Sequence, residues 1–244
     1  MIGTIARASE RGLLGRRRTL LVVLLATAPV VIAALLRAGG VTTDAVRLTV
    51  SLLDNLVVRT VLPLVALVLG TGVLGSDLED GTAVYVLARP IARWRIVVAN
   101  ELVAGLLAVG LMTIVTFVAG MVSAAGRGAE GVVLAYTVAI AVGATLYTTV
   151  FLALSIVTGR ALILGLAYVL IWEGLLAGLL EGTQVLSIRQ YTLAIARALA
   201  GPDAAAINVT LAGSVAVALS VVVFGVALVV ATRRLEAYEV RGTD

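Results

Sequence analysis

The sequence contains no lysine, histidine or cysteine, so all 18 of its basic residues are arginines. Without lysine it has no standard Walker A loop, because that loop places a lysine on the β- and γ-phosphates of ATP. Without histidine and cysteine it has no imidazole base, no thiol nucleophile, no disulfide and no zinc site of the usual ligand types. We therefore expect no catalytic residues, no metal site and no cofactor in this chain itself.

Charged residues are also scarce, at 13%, whereas 61% of the residues are hydrophobic. Soluble domains typically have about 25% charged and about 45–50% apolar residues. The hydrophobic residues form long runs instead of the alternating patterns that fill a water-soluble core. The composition predicts one all-α integral membrane domain over residues 1–244.

Six apolar runs are long enough to cross a bilayer as helices. A helix rises about 1.5 Å per residue, so about 20 apolar residues cover a hydrocarbon layer of about 30 Å. We interpret the first run as a spanning helix and not as a cleavable signal peptide, because it continues past the alanines at the possible cleavage site. The predicted spans are Thr19–Leu36, Leu56–Gly75, Ile96–Val122, Val132–Val157, Ala161–Leu180 and Asn208–Ala231, with a tight hairpin at Thr158–Arg160.

The distribution of arginine between the predicted loops indicates the orientation. If the N-terminus is cytoplasmic, that side holds twelve arginines and the other side holds six, counted along the sequence. This asymmetry follows the positive-inside rule, so both termini are predicted to be cytoplasmic. It also accounts for the basic isoelectric point, and no nucleic-acid partner is expected.

The longest polar interruption on the predicted cytoplasmic side is residues 76–95, SDLEDGTAVYVLARPIARWR. Ser76 and Glu79 have the S-x-x-E spacing of a capping box, and acidic residues are favourable at a helix N-terminus. Pro90 cannot continue a helix, so a short surface helix is predicted over Ser76–Arg89. Local physics supports two roles equally, a connector resting on lipid headgroups and an element that docks into another protein.

The order of residues in this loop resembles the loop of type 2 ABC exporter permeases. Acidic residues precede Gly81–Thr82, an apolar stretch follows, and the segment Arg89–Arg93 stands directly before a span. Ala88 occupies a position where those permeases frequently have serine. Their overall plan is similar too, with an amphipathic stretch (here Ile2–Leu14) along the inner membrane surface, six spans and a long outer segment between the fifth and sixth.

The resemblance implies a coupling helix between spans 2 and 3, which docks into a separate nucleotide-binding ATPase subunit and transmits its closure. As partners it implies that ATPase with its ATP and Mg, a second permease copy in a homodimer or related heterodimer, and the lipid of a bacterial-type inner membrane. The residues implied in coupling are Asp77, Glu79, Asp80, Gly81, Thr82, Tyr85, Arg89, Pro90 and Arg93.

Export of a lipophilic or amphipathic substrate is the implied function. Delivery of cargo to a partner protein, as in a cofactor or assembly system, would give the same sequence features. An ATP-independent secondary transporter fits less well, because such proteins use several intramembrane ionisable groups and broken helices. A membrane scaffold without transport would leave the acidic loop without a purpose.

Three ionisable residues fall inside the predicted spans, where a charge at the helix centre costs at least about 2.5–3.5 kcal/mol. Glu101 lies near the cytoplasmic end of the third span and is predicted to be structural. Glu173 and Arg59 lie at similar depths. Two roles stay open for Glu173, a buried ion pair with Arg59 within or between protomers, and a place in the transport pathway. Trp172–Glu173 also resembles a Trp-Glu element of these permeases.

Two further patterns concern the fifth span and the segment that follows it. Glycines recur every four residues at Gly174, Gly178 and Gly182, which predicts a small-residue face for close helix packing. In Ile188–Leu199, apolar residues interleave with arginine and glutamine, which predicts a helix at the outer interface. Gly201–Asp203 is predicted to turn the chain into the sixth span.

Overall fold

A computed structural model describes residues 16–39, 44–79, 92–126, 128–176 and 185–237. These residues are almost entirely helical, and none of them forms a strand. Two π-helical stretches interrupt the α-helices, and we name them the first π segment, Leu53–Val61, and the second π segment, Tyr168–Leu176. The other helices are α1 Arg16–Ala38, α2 Ala45–Leu52, α3 Leu62–Glu79, α4 Arg93–Ala124, α5 Glu130–Val157, α6 Ala161–Ala167, α7 Ile188–Leu199, a 3-10 helix Gly201–Ala206 and α8 Gly213–Glu236.

Five of the described helical stretches are long and apolar enough to cross a membrane, which confirms an all-α, multi-pass membrane protein. The predicted fifth span appears as the shorter apolar helix Ala161–Gly174, and residues 177–184 lie outside the described part of the chain. A count of six spans therefore stays a prediction. The five long stretches are Arg18–Ala38, Ala45–Val73, Arg93–Ala124, Glu130–Val157 and Gly213–Glu236.

The second span begins much earlier than the predicted Leu56. Asp44 caps its N-terminus by accepting a hydrogen bond from the backbone N–H of Val46 at 3.0 Å, and α2 starts at Ala45. The helix then runs through the first π segment into α3 without a break. The last span begins at Gly213, later than the predicted Asn208, because the 3-10 helix and an extended stretch precede it.

The loop between α3 and α4 differs from the prediction at its start. Ser76–Glu79 form the last turn of α3, so the predicted capping-box start of a separate helix at Ser76 is wrong. Extending an existing helix adds a hydrogen bond for each residue fixed, whereas a new helix needs a costly nucleus. Asp77 and Glu79 thus end α3, and Arg93 is the first residue of α4. Asp80, Gly81, Thr82, Tyr85, Arg89 and Pro90 lie outside the described residues, as do residues 1–15, Gly178 and Gly182.

Helix α5 lies at the centre of the bundle, with α3, α4, α7 and α8 packed against it. Helices α1 and α8 are the least buried of the long apolar helices. Their exposed faces are aliphatic, as at Leu24 and Val221, which suits contact with lipid. We call the end of the bundle where α1 ends, α2 begins and α7 lies the α7 end, and the opposite end, between α3 and α4, the loop end.

Helices α3 and α5 cross at Gly70. A Cβ atom at this position would lie 2.8 Å from the carbonyl oxygen of Thr148 and 3.1 Å from Cβ of Phe151. Backbone and Cβ atoms inside a packed helix pair cannot move independently, so only glycine permits this distance between the two helices. This contact was not predicted from the sequence, because a single glycine in a span forms no periodic pattern.

We predict that Gly70→Ala lowers the free energy of unfolding by about 1–3 kcal/mol, the usual cost of overpacking. For a chain of this size, each kcal/mol corresponds to a fall of about 2–4 °C in the melting midpoint, measured on detergent-purified protein. Gly110→Ala is the matched control, because a Cβ there would meet no atom within 4 Å. Equal midpoints for the two variants would contradict the close crossing at Gly70.

Candidate functional site

Two π segments and the start of α7 meet at the α7 end of the bundle. π-helical turns are rare and occur frequently at functional sites. The first π segment carries Asp54 and Arg59, and the second carries Glu173. With Ser187 and Arg189 at the start of α7, these residues form a group that we call the polar cluster.

Glu173 is the buried centre of the polar cluster, with 1% of its surface exposed. Its carboxylate accepts hydrogen bonds from the hydroxyl of Ser187 at 2.5 Å, the backbone N–H of Ile188 at 2.9 Å and the hydroxyl of Tyr168 at 3.1 Å. Ser187 is the N-cap residue of α7 and accepts from the backbone N–H of Gln190. The carboxylate therefore stands at the positive end of the α7 dipole and satisfies its first turn.

A second contact ties α7 to the first π segment. Nη2 of Arg189 lies 2.8 Å from Oδ1 of Asp54, and their side chains are only 14% and 19% exposed. Ion pairs with little exposure are screened less by solvent and salt than surface pairs. Successive residues near the start of α7 are thus bound to both π segments, Ile188 through its backbone and Arg189 through its guanidinium group.

Arg59 and Glu173 do not form the predicted ion pair within this chain. Nη2 of Arg59 donates instead to the carbonyl oxygen of Gly174 at 2.8 Å. The start of α7 already supplies the donors that the Glu173 carboxylate needs, which is the physical reason for the difference. Arg59 is exposed and has no ion pair among the described residues. A pair between Arg59 and Glu173 across two protomers stays a prediction.

Gly174 packs against no other helix among the described residues. A Cβ atom there would meet, of those residues, only the carbonyl oxygen of Val169, at 3.4 Å, in its own helix. The predicted small-residue face stays a prediction, since Gly178 and Gly182 lie outside the described residues. Close contact with α7 involves Gly143 of α5, where a Cβ would lie 2.5 Å from Oγ1 of Thr192.

An exposed row of polar residues follows the second span away from the α7 end. Arg47, Ser51, Asn55 and Arg59 recur every four residues, and all four are exposed. We call them the polar stripe, which covers about 18 Å at a rise of about 1.5 Å per residue. Polar groups are costly against hydrocarbon, so these four side chains need polar partners such as water, protein or lipid headgroups. Of these four residues only Arg59 was predicted to lie in the second span, because the span was predicted to begin at Leu56. The four-residue spacing is nevertheless visible in the sequence.

Glu101 lies apart from this site, between α4 and α5 in the other half of the bundle. It is 6% exposed, and its Oε1 atom accepts a hydrogen bond from Oγ1 of Thr148 at 2.9 Å. Its Oε2 atom has no hydrogen-bond partner among the described residues. The contact joins two central helices, which supports the predicted structural role of Glu101.

The described residues at the site provide charged groups and hydrogen-bond donors and acceptors. No group of three or more Asp or Glu residues in the described ranges is arranged to hold a metal ion. The polar stripe carries guanidinium, amide and hydroxyl groups, which are suited to anionic or hydroxylated groups through charge-assisted and neutral hydrogen bonds. No family model matches the chain, and a comparison with curated proteins finds no significant match. Function must therefore be inferred from the residues and their geometry.

We predict that Glu173→Gln destabilises the docking of α7, because the amide replaces a charged acceptor of three hydrogen bonds. Hydrogen bonds to charged groups contribute about 1.5–3 kcal/mol each, so hydrogen exchange over residues 185–199 should increase clearly. Glu130→Gln, in the first turn of α5, is the control and should leave exchange in α7 unchanged. Unchanged exchange in Glu173→Gln with loss of transport would favour a direct pathway role.

We predict energetic coupling between Asp54 and Arg189. Each single variant, Asp54→Asn and Arg189→Gln, leaves a poorly exposed charge without its partner, so the double variant should lose less stability than the sum of the two. The coupling energy from thermal unfolding should lie at about 0.5–3 kcal/mol. The exposed pair Asp44 and Arg47, at 3.8 Å, is the control and should couple by less than about 1 kcal/mol. Equal coupling in the two cycles would contradict the anchoring of α7 through Arg189.

Proposed function

We propose that this chain is the membrane-spanning permease subunit of an ATP-driven ABC exporter, with ATP hydrolysed by a separate nucleotide-binding subunit. The observation that carries the proposal is the order of residues in the loop between α3 and α4, with Gly81–Thr82 after the acidic residues and Arg89–Pro90 before the next span. The absence of lysine supports an ATPase on another chain, because the standard phosphate-binding loop requires lysine.

The connection between α3 and α4 is suited to transmit movement. Helix α3 ends at Glu79, α4 begins at Arg93, and the two helices pack against each other. A force applied to this connection therefore acts on both helices at once. Residues Ala45–Glu79 form one unbroken helical stretch, so a tilt of its loop end displaces the polar stripe and Asp54 at its other end.

The polar stripe supports transport as the purpose of that movement. Two arginines, an asparagine and a serine on one exposed face would be costly on a helix that contacts only lipid tails. We infer that Asn55 and Arg59, the part of the stripe farther from its start at Arg47, line a hydrated path beside a second permease copy, through which an amphipathic substrate moves outward. The distribution of arginine supports cytoplasmic termini, a cytoplasmic loop end and an outer α7 end.

A direct test is co-purification of the tagged chain with an ABC ATPase co-expressed from the same organism. We expect the ATPase to be retained by the unmodified chain and lost when Glu79 and Gly81 are both replaced by alanine. Arg160→Ala, in the hairpin predicted on the same side, is the matched control and should retain it. The double variant must show the same melting midpoint as the unmodified chain, so that lost binding is not unfolding.

Two results would contradict the proposal. One is transport in sealed vesicles that proceeds at full rate without ATP, which would indicate a secondary transporter. The other is accessibility of residues 80–91 from the extracytoplasmic side, measured with single cysteines that a membrane-impermeant reagent labels. The chain has no native cysteine, so every labelled position is unambiguous.

A further inference from the structure

We propose that the groove between α1 and α2 binds an anionic membrane lipid, with one acyl chain in the groove and the headgroup on Arg47. This site is independent of the proposed function, since it requires neither an ATPase nor transport. It assigns a binding role to the end of the polar stripe at the α7 end.

The groove has the size and lining of a site for an apolar chain. Its volume is 490 Å³, within the range of about 300–1,000 Å³ that is typical of small-molecule sites. Leucine and isoleucine side chains of α1, α2 and the first π segment form most of its walls. From Arg47 to Leu56 it follows the helix for nine residues, about 14 Å at a rise of about 1.5 Å per residue.

A cation stands at one end of this apolar groove. The side chain of Arg47 lines the groove and is 85% exposed. Its ion pair with Asp44 is long, at 3.8 Å, and exposed on both sides, so it contributes little stability. The planar guanidinium group keeps donors for two oxygens of a phosphate.

The surrounding charge favours an anionic headgroup over a neutral one. Arg37 is exposed in the last turn of α1, next to Leu36, which lines the groove. The last turn of α1 and the start of α2 thus carry two exposed arginines and one aspartate, Asp44. A free anion would satisfy the charge but leave the aliphatic walls uncovered, whereas an anionic lipid covers both. Helix α1 is among the least buried of the long apolar helices, so a lipid in the bilayer can reach the groove beside it.

Native mass spectrometry of the purified chain tests this site with two lipids that have the same acyl chains, phosphatidylglycerol and phosphatidylcholine. We expect phosphatidylglycerol to be retained preferentially, and Arg47→Gln to weaken its retention by about tenfold, the equivalent of one charge-assisted contact. Arg160→Gln removes an exposed arginine at the other end of the bundle and should keep the preference. Ser51→Trp places a bulky side chain in the groove from an exposed position and should reduce binding of both lipids.

Three outcomes would overturn the proposal. The first is equal retention of the two lipids by the unmodified chain. The second is equal retention of phosphatidylglycerol by Arg47→Gln and Arg160→Gln. The third is a disulfide-linked dimer of Ser51→Cys in native membranes, because a second copy would then occupy the groove. Equal melting midpoints of the variants establish that lost retention is not unfolding.

Discussion

The hydrogen bonds between the Glu173 carboxylate and the first turn of α7 are the contact on which the α7 end of this protein depends. A buried carboxylate in a membrane protein has no water to solvate it, and the free N–H groups of a helix start have the same need. Here the Glu173 carboxylate accepts hydrogen bonds from the start of α7, from the hydroxyl of Ser187 at 2.5 Å and the backbone N–H of Ile188 at 2.9 Å. The position of α7 then brings Arg189 to Asp54, so one buried acid helps to fix the geometry of the Asp54–Arg189 ion pair.

This arrangement explains why a helix with polar residues lies inside the bundle and not on its surface. The prediction from sequence gave α7 its bounds, Ile188–Leu199, and the structure has the same bounds. Its apolar face is buried against α5 and α8, as at Tyr191 and Leu193. Its amphipathic pattern alone would equally suit a helix on lipid headgroups, because both environments cover one face. The buried carboxylate of Glu173 favours the position inside the bundle, because it accepts hydrogen bonds from the start of α7.

Local patterns predicted the elements of this fold better than their contacts. Long apolar runs identified five of the six predicted spans and the hairpin at Thr158–Arg160, because hydrocarbon thickness sets the length of a spanning helix. The start at Ala45 was missed because Asp54, Asn55 and Arg59 lower the hydropathy of a stretch that packing holds helical. The partner of Glu173 was missed because it lies fourteen residues further along the chain, beyond the range of a helical pattern. Ser187 before an apolar stretch was the available signal, an N-cap residue that pointed to a helix start needing acceptors.

One face of the second span, the polar stripe, is covered by none of the described residues. Inside the bundle, acidic groups meet donors: Glu173 meets α7, Asp54 meets Arg189, and Glu101 meets Thr148. Among the residues that the structure describes, Arg59 donates to the carbonyl oxygen of Gly174, and Arg47 makes a long contact with Asp44. Exposing two arginines, an amide and a hydroxyl group to hydrocarbon would cost free energy that the buried acids of this chain avoid through their hydrogen bonds. The polar stripe is therefore the described face least suited to hydrocarbon, and the positive charge of its two arginines, beside an aliphatic groove, favours anionic amphipathic molecules over neutral ones.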